Sequence, residues 1–221
     1  MKRNSTSAEL LMVVIMLSPL VYLAIVWNQL PAEIATHFDL QGNPNDWQRK
    51  ETAALLIGGL SVFLYLVLRF LLALDLRGQL QMSSNYQKLR FAVTLLFAAM
   101  MIWLFYMAGH PVDTKFSTSV ILALVGLMLA GMGNYLTSIK PNWFVGIRTP
   151  WTLGNETVWR KTHRLGGRLM VAGGLLSAVL ALVVPMSYKV GCVLGVTMLT
   201  VLIPVVYSYI YSQQEKRHQL N

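Results

Sequence analysis

The sequence predicts an all-α, polytopic integral membrane protein with six transmembrane helices in a compact bundle. Of its 221 residues, 55% are hydrophobic and 12% are charged, and ordinary globular domains carry about twice that charged fraction. The nine acidic residues all border long apolar runs or lie between them. Such a composition cannot supply a water-soluble surface, so we expect the apolar runs to lie in lipid.

Six charge-free runs are each long enough to cross the membrane as a helix, which takes about 17 to 25 apolar residues. Backbone groups in lipid must form their hydrogen bonds within the segment, and the runs lack the alternating polarity of a closed barrel. We therefore predict six helices. The runs span residues 10–32, 52–68, 91–112, 116–139, 169–188 and 190–214.

The first run follows Lys2 and Arg3, as the apolar core of a cleaved signal peptide does. Its apolar stretch exceeds the about 7 to 15 residues of a signal peptide, and no small-x-small cleavage site follows Trp27. We expect a retained first helix. After the second run, Arg69 lies near a helix end, where an arginine side chain reaches the interface.

Lysine and arginine are distributed unevenly between the segments that join the runs, and the positive-inside rule assigns the richer side to the cytoplasm. Both termini are therefore expected in the cytoplasm, with loops 30–51, 108–115 and 185–189 outside a bacterial cytoplasmic membrane. A basic belt facing anionic headgroups makes nucleic acid an unneeded partner. The richer side carries thirteen of these residues: Lys2, Arg3, Arg77, Lys88, Arg90, Lys140, Arg148, Arg160, Lys161, Arg164, Arg168, Lys216 and Arg217. The other side carries four: Arg49, Lys50, Lys115 and Lys189.

The organisation predicted for the chain has two parts. Residues 1–75 form an N-terminal two-helix unit with an outward loop at 30–51, and residues 76–221 form a four-helix membrane region with a cytoplasmic motif loop at 138–168. Small residues four apart, at 126 and 130 and at 174 and 178, would let helices approach closely. Cys192 is the single cysteine, which excludes an intrachain disulfide, and a lone thiol among aliphatic residues is typical of a small hydrophobe rather than a nucleophile.

The outward loop combines turn residues with polar side chains. Pro31 suits the first turn of a short interfacial helix that would carry Ile34 and Phe38 on one face. The candidate recognition residues of this loop are His37, Phe38, Asp39, Gly42, Pro44, Asp46 and Trp47. Their alternative interpretation is an exposed imidazole and an interfacial tryptophan anchor. One histidine with two carboxylates is a thin ligand set, so no metal site and no cofactor are expected.

The cytoplasmic segment combines a basic helix with a loop rich in glycine and proline. Asn155 is a plausible N-cap, and Arg160, Arg164 and Arg168 recur every four residues on one helical face. A belt that contacts lipid phosphates explains these charges. It does not explain Gly146 or Pro150, whose placement indicates a specified loop.

The string GNYLTSIKPNWFVGIRTPWTLGNETVWRKTHRLGGR at 133–168 strongly resembles the motif of the SdpI immunity protein family of bacterial membrane proteins. The loop at 30–50 resembles the small domain of unknown function that accompanies it, with Leu-Pro, His-Phe, Gly-x-Pro and Trp in order. The residues that match the cytoplasmic motif are Asn142, Trp143, Gly146, Arg148, Thr149, Pro150, Trp151, Asn155, Trp159, Arg160, His163, Arg164 and Gly166. The resemblance implies no catalytic residue in this sequence.

The resemblance implies six helices and a role in immunity. The member that names the family protects a cell against its own secreted peptide toxin and signals to a transcriptional autorepressor. The partners implied are the lipid bilayer, a secreted peptide toxin outside and a transcriptional repressor inside. The function expected is therefore membrane immunity or signal sensing.

Two other functional classes compete with this expectation. A small-solute or peptide transporter is the alternative, although ion-coupled carriers place ionisable groups or broken helices near mid-membrane and the acids here are peripheral. An intramembrane enzyme is disfavoured because HExxH, GxSxG and paired mid-span carboxylates do not occur.

Overall fold

The computed structural model describes residues 6–74, 84–110 and 113–220. Lys2, Arg3 and Arg77 of the charge count, and the proposed boundary between residues 75 and 76, lie outside the described residues. The elements are α1 (Thr6–Val26), a short 3₁₀ turn (Trp27–Gln29), β1 (Glu33–Phe38), β2 (Pro44–Arg49), α2 (Lys50–Leu74), α3 (Ser84–Gly109), α4 (Thr114–Leu136), α5 (Pro150–Gly154), α6 (Glu156–Val183) and α7 (Met186–Leu220).

Six of these helices, all except α5, are long and apolar enough to cross a membrane. The prediction of an all-α protein with six transmembrane helices is confirmed. Helix α6 begins at Glu156, directly after the predicted N-cap Asn155, and so starts well before the apolar run that begins at residue 169. The basic stretch before residue 169 is therefore helical, and it extends the helix by roughly 20 Å at the 1.5 Å rise per residue.

The spans alternate in direction, so the loops fall on two faces of the bundle. We call the face that carries β1 and β2 the hairpin side, and the face that carries the segment between α4 and α6 the motif side. The first residues of α4 and α7 lie on the hairpin side, and their last residues lie on the motif side.

The outward loop is a β-hairpin, and the prediction of a short interfacial helix after Pro31 is wrong. Strands β1 and β2 pair antiparallel, with Ala35 opposite Trp47 and an irregularity in register before His37. Ile34 is buried because it packs into a cluster with Val26 and Phe105 of the helices below. If residues 33–38 formed a helix instead, the backbone N–H and C=O groups of β2 would have no neighbouring strand to pair with.

Helices α4 and α6 form the most extensive contact in the bundle. A methyl group added at Gly126 would lie 2.7 Å from the backbone nitrogen of Ala178 and from the carbonyl oxygen of Gly174. The two backbones therefore touch, as the spacing of small residues in these helices predicted. Helix α7 packs against α6, while α1 and α4 both pack against α3.

Candidate functional site

The turn of the hairpin is held by one carboxylate. Asp39 Oδ1 accepts hydrogen bonds from the backbone nitrogens of Gln41 at 2.9 Å and Asn43 at 2.8 Å. These bonds favour the ionised form and hold the pKa of the Asp39 carboxyl below its usual value, with the bond from Asn43 contributing most. Gly42 has a φ of 80°, the left-handed region that glycine adopts without strain.

The predicted recognition patch of His37, Asp39 and Asp46 is only partly brought together. His37 lies opposite Asp46 on the neighbouring strand, and its Nδ1 is 2.5 Å from the side-chain oxygen of Asn45. Both His37 and Asp46 are exposed, whereas Asp39 is directed to the turn amides. The exposed polar group is therefore His37 with Asn45 and Asp46.

The remaining residues predicted for this loop have structural positions. Phe38 pairs with Pro44 across the hairpin, and both are half-buried. Trp47 is 50% exposed, as expected for an interfacial anchor.

The tip of the hairpin lies on the ends of two helices from the other half of the chain. A methyl group at Gly42 would be 2.9 Å from the Met186 side chain at the start of α7 and 3.1 Å from the Thr118 hydroxyl in α4. The base of the hairpin packs against α1, α2 and α3 through Leu30 and Ile34. The hairpin therefore bridges the N-terminal helices and the α4–α7 pair.

On the motif side, Asn142 organises the loop that leaves α4. Its side-chain oxygen accepts from the backbone nitrogens of Phe144 and Val145 at 2.8 and 2.7 Å. Its side-chain nitrogen donates to the carbonyls of Lys140 and Val145 at 2.9 and 3.1 Å. Asn142 is buried, and all the polar atoms of its amide group are bonded.

His163 of α6 holds the next part of the loop. Its Nδ1 is 2.8 Å from the carbonyl oxygen of Trp159, and its Nε2 accepts from the backbone nitrogen of Ile147 at 3.0 Å. This pattern requires a neutral ring with the proton on Nδ1. Gly146 has a φ of 120°, and any Cβ there would overlap with Nε2 of His163. Only glycine lets the loop pass this close to the ring.

The short helix α5 was not predicted, although Thr149 followed by Pro150 is the N-cap and N1 pattern that could have revealed it. The Thr149 hydroxyl accepts from the backbone nitrogen of Thr152 at 3.3 Å, and the Thr152 hydroxyl accepts from the backbone nitrogen of Thr149 at 2.9 Å. Thr152 is fully buried. Asn155 then caps α6 as predicted, by accepting from the backbone nitrogens of Thr157 and Val158.

Two tryptophans join the motif segment, residues 138–168, to the helices around it. The indole nitrogen of Trp159 donates to the carbonyl of Ile139, just beyond α4, at 2.9 Å. The indole nitrogen of Trp151 donates to the hydroxyl of Ser208 in α7 at 2.7 Å. The structure buries Trp159 and gives each ring a specific hydrogen-bond acceptor.

The basic residues of the motif segment remain on its surface. Arg148 donates one hydrogen bond, of 2.6 Å, to the carbonyl of Trp143. Trp143 is itself 57% exposed. The exposed residues of the segment include Lys140, Trp143, Arg148, Pro150, Arg160, Lys161, Arg164 and Arg168. The segment thus divides into a buried, hydrogen-bonded framework and a basic outer surface.

Sequence reasoning missed an ion pair inside the bundle at the motif side. Arg90 of α3 donates to the two oxygens of Glu9 in α1 at 2.6 and 3.1 Å, and Tyr65 of α2 donates to Glu9 at 3.0 Å. The Arg90 side chain is 1% exposed, so this pair ties three helices together. The sequence feature that could have indicated this pair is that Glu9 and Arg90 both lie near the motif-side ends of their helices.

No set of three or more His, Cys, Asp and Glu residues able to hold a metal ion occurs in the described parts of the chain. Cys192 is exposed on α7. The adjacent Gly191 also lies beside open space, because a methyl group added there would meet no atom within 4 Å.

Comparison with protein families assigns the two segments described above. Residues 138–212 match the SdpI/YfhL protein family, and residues 14–62 match a domain of unknown function, DUF1648. The family resemblance predicted from the motif is confirmed. The SdpI/YfhL match contains the motif segment together with α6 and most of α7, and the DUF1648 match contains the hairpin. No curated protein and no solved structure matches the chain.

The SdpI/YfhL assignment supports a multi-pass membrane protein. The SdpI/YfhL family is not a known enzyme family. The chain thus combines a membrane-spanning SdpI/YfhL region with an N-terminal domain that supplies the β-hairpin.

Proposed function

We propose that this protein is an immunity or signal-sensing protein of the bacterial cytoplasmic membrane, with both termini in the cytoplasm. The hairpin recognises a peptide toxin or an envelope perturbation outside, and the motif segment responds inside. The family match and the excess of Lys and Arg on the motif side support this assignment.

One observation carries the proposal: the hairpin contacts one end of both α4 and α7, and the motif segment contacts the other end of both. At the hairpin side, Gly42 lies against Thr118 of α4 and Met186 of α7. At the motif side, the tryptophans bond to Ile139 and Ser208, which follow or belong to the same two helices. A shift of the hairpin on binding would move both helices and so reach the motif segment.

The exposed basic surface suits an acidic partner in the cytoplasm. In the described residues, the guanidinium groups of Arg148, Arg160 and Arg164 form no ion pair with a carboxylate. We propose that a cytoplasmic protein, a transcriptional repressor in the family's manner, binds there. Exposed Arg–carboxylate contacts of this kind give specificity through their planar geometry.

A transporter is the alternative class, and the ion pair inside the bundle is the feature that bears on it. Glu9 and Arg90 lie within the first two turns of α1 and α3. They bond to each other rather than face an open path, and a carrier would place such groups near mid-membrane. The pair therefore favours a structural role and leaves the sensing proposal ahead.

The proposal is tested in a host strain that lacks the protein and is challenged with a panel of cationic, membrane-active peptides. Expression should raise the inhibitory concentration of at least one peptide several-fold. His37→Ala with Asp46→Ala should remove most of that gain at unchanged membrane abundance, while Glu33→Ala, at the exposed start of β1, should retain it. Equal protection by all three proteins would refute recognition by the hairpin.

A further inference from the structure

A lysine is buried at the hairpin side without a carboxylate partner. Lys189 lies in the first turn of α7 and is 6% exposed. Its ammonium nitrogen donates to the hydroxyl of Ser119 in α4, and Ser119 in turn donates to the carbonyl of Lys115 at 2.7 Å. Among the described residues, the one ion pair is that of Glu9 with Arg90, so no carboxylate compensates Lys189.

Two physical effects make this position costly for an isolated cation. An ammonium group has three donors, and among the described residues the Ser119 hydroxyl is the one acceptor for that of Lys189, so burial leaves the other donors unsatisfied. The N-terminus of a helix carries a partial positive charge, which repels a cation in the first turn. Both costs are relieved if an anion sits beside Lys189.

The tip of the hairpin lies beside the helix ends that carry Lys189 and Ser119. The turn at Gly42 lies against Met186, one helical turn before Lys189, and against Thr118, the neighbour of Ser119. The hairpin tip therefore covers the junction of α4 and α7. Lys189 lies one turn inside the N-terminal end of α7. A lipid phosphate group or a dissolved oxyanion can therefore reach the depth of its ammonium group.

We propose that the α4–α7 junction at the hairpin side binds an oxyanion, with Lys189 as its cationic ligand and Ser119 as the residue that positions the ammonium group. A phosphate group fits this site, and it can come from an anionic lipid or from solution. The proposal goes beyond the immunity function, because it requires neither a toxin nor a cytoplasmic partner.

The experiment measures thermal unfolding of the full chain in dodecyl maltoside, a detergent without charged groups. Phosphatidylglycerol or inorganic phosphate is added, and Lys189→Met is compared with Lys115→Met, which removes an exposed lysine of the same side. At about 100 times the dissociation constant, the wild type and Lys115→Met should gain about 5 °C in Tm. Lys189→Met should gain nothing, and Lys189→Arg should keep most of the shift.

The two additives separate the sources of the oxyanion. A shift with phosphatidylglycerol alone assigns the site to a lipid headgroup, and a shift with both assigns it to phosphate in general. No shift of the wild type with either additive, or an equal shift in Lys189→Met, overturns the proposal. If Lys189→Met does not accumulate, Ser119→Ala takes its place. It should weaken the affinity several-fold, and an unchanged affinity would also overturn the proposal.

Discussion

The indole nitrogen of Trp151 donates a hydrogen bond of 2.7 Å to the hydroxyl of Ser208, and it thereby fixes α5 on α7. The ring of Trp151 also packs edge-on against Tyr209, with centroids 5.3 Å apart. Movement of α7 would therefore be transmitted to the loop that carries the exposed arginine, Arg148.

The Trp151–Ser208 bond should be measurable as a coupling energy. In a double-mutant cycle with Trp151→Phe and Ser208→Ala, we expect a coupling of about 0.5–1.5 kcal/mol in the free energy of unfolding. Ser208→Ala also removes the hydrogen bond that Ser208 donates to the carbonyl of Val205, and the cycle separates that loss from the Trp151–Ser208 coupling. Trp143→Phe paired with Ser208→Ala is the control, because Trp143 is exposed and should show no coupling. Additive effects of Trp151→Phe and Ser208→Ala would mean that the bond does not join the two elements.

Gly146 should tolerate no side chain. Gly146→Ala places a Cβ against the His163 ring at a φ of 120°, and we expect a loss of about 2 kcal/mol or more in stability from strain and overlap. Gly154→Ala is the matched control, because Gly154 has open space around it. Thermal unfolding of the two purified variants should show a lowered Tm only for Gly146→Ala. A normal Tm for both variants would show that Gly146 lies farther from the His163 ring than the structure places it.

The orientation of the bundle can be tested by labelling with a maleimide that does not cross membranes. In a Cys192→Ala background, Asn45→Cys should be labelled from outside the cell, and Ser138→Cys should be labelled only after permeabilisation. Both positions are exposed, so a cysteine at either is accessible to the reagent. The reverse labelling pattern would reverse the orientation inferred from Lys and Arg.

The Asp39 carboxylate should make the hairpin turn sensitive to acid. Its folded-state pKa is lowered, so its contribution to stability is present above the ordinary value of 3.8 and is lost as the pH falls through the lowered pKa. Amide hydrogen exchange at Asn43, corrected for intrinsic rates, should accelerate in that acidic window. Asp39→Asn keeps a side-chain oxygen and should remove the acid dependence. An Asn43 amide that exchanges identically in both proteins at all pH values would exclude this role.

The six spans could be predicted because lipid imposes a simple rule: long charge-free runs must form helices. The hairpin could not, because the segment around Ile34 lacks clean alternation and its strand pairing depends on contacts with Phe105, distant in sequence. The Glu9–Arg90 pair escaped prediction for a related reason. The two residues are 81 positions apart, and only the packing of α1 on α3 brings them together.

The motif was recognisable from its sequence, but the roles of its residues were not. Residue type alone does not separate Trp159, which is buried and bonded to Ile139, from Trp143, which is exposed. Burial depends on where α4 and α7 meet the segment. The arginines, in contrast, were correctly expected on one face of α6, because helical periodicity fixes their relative directions.

The last prediction separates a lipid-binding belt from a protein-binding site on the motif segment. If Arg164 only attracts headgroups, lysine should replace it with little loss, since either cation contributes about 1 kcal/mol at a membrane surface. Arg148 differs because its exposed guanidinium group is held by the carbonyl of Trp143 through one nitrogen, which leaves its other donors available to a partner. If those donors meet a carboxylate of a cytoplasmic partner, lysine cannot reproduce the planar fork. We therefore expect Arg148→Lys to keep normal membrane abundance but to lose most of the protection or reporter output, while Arg164→Lys stays near the wild type. Equal, near-normal output from both variants would show that the charge of the motif matters and its geometry does not.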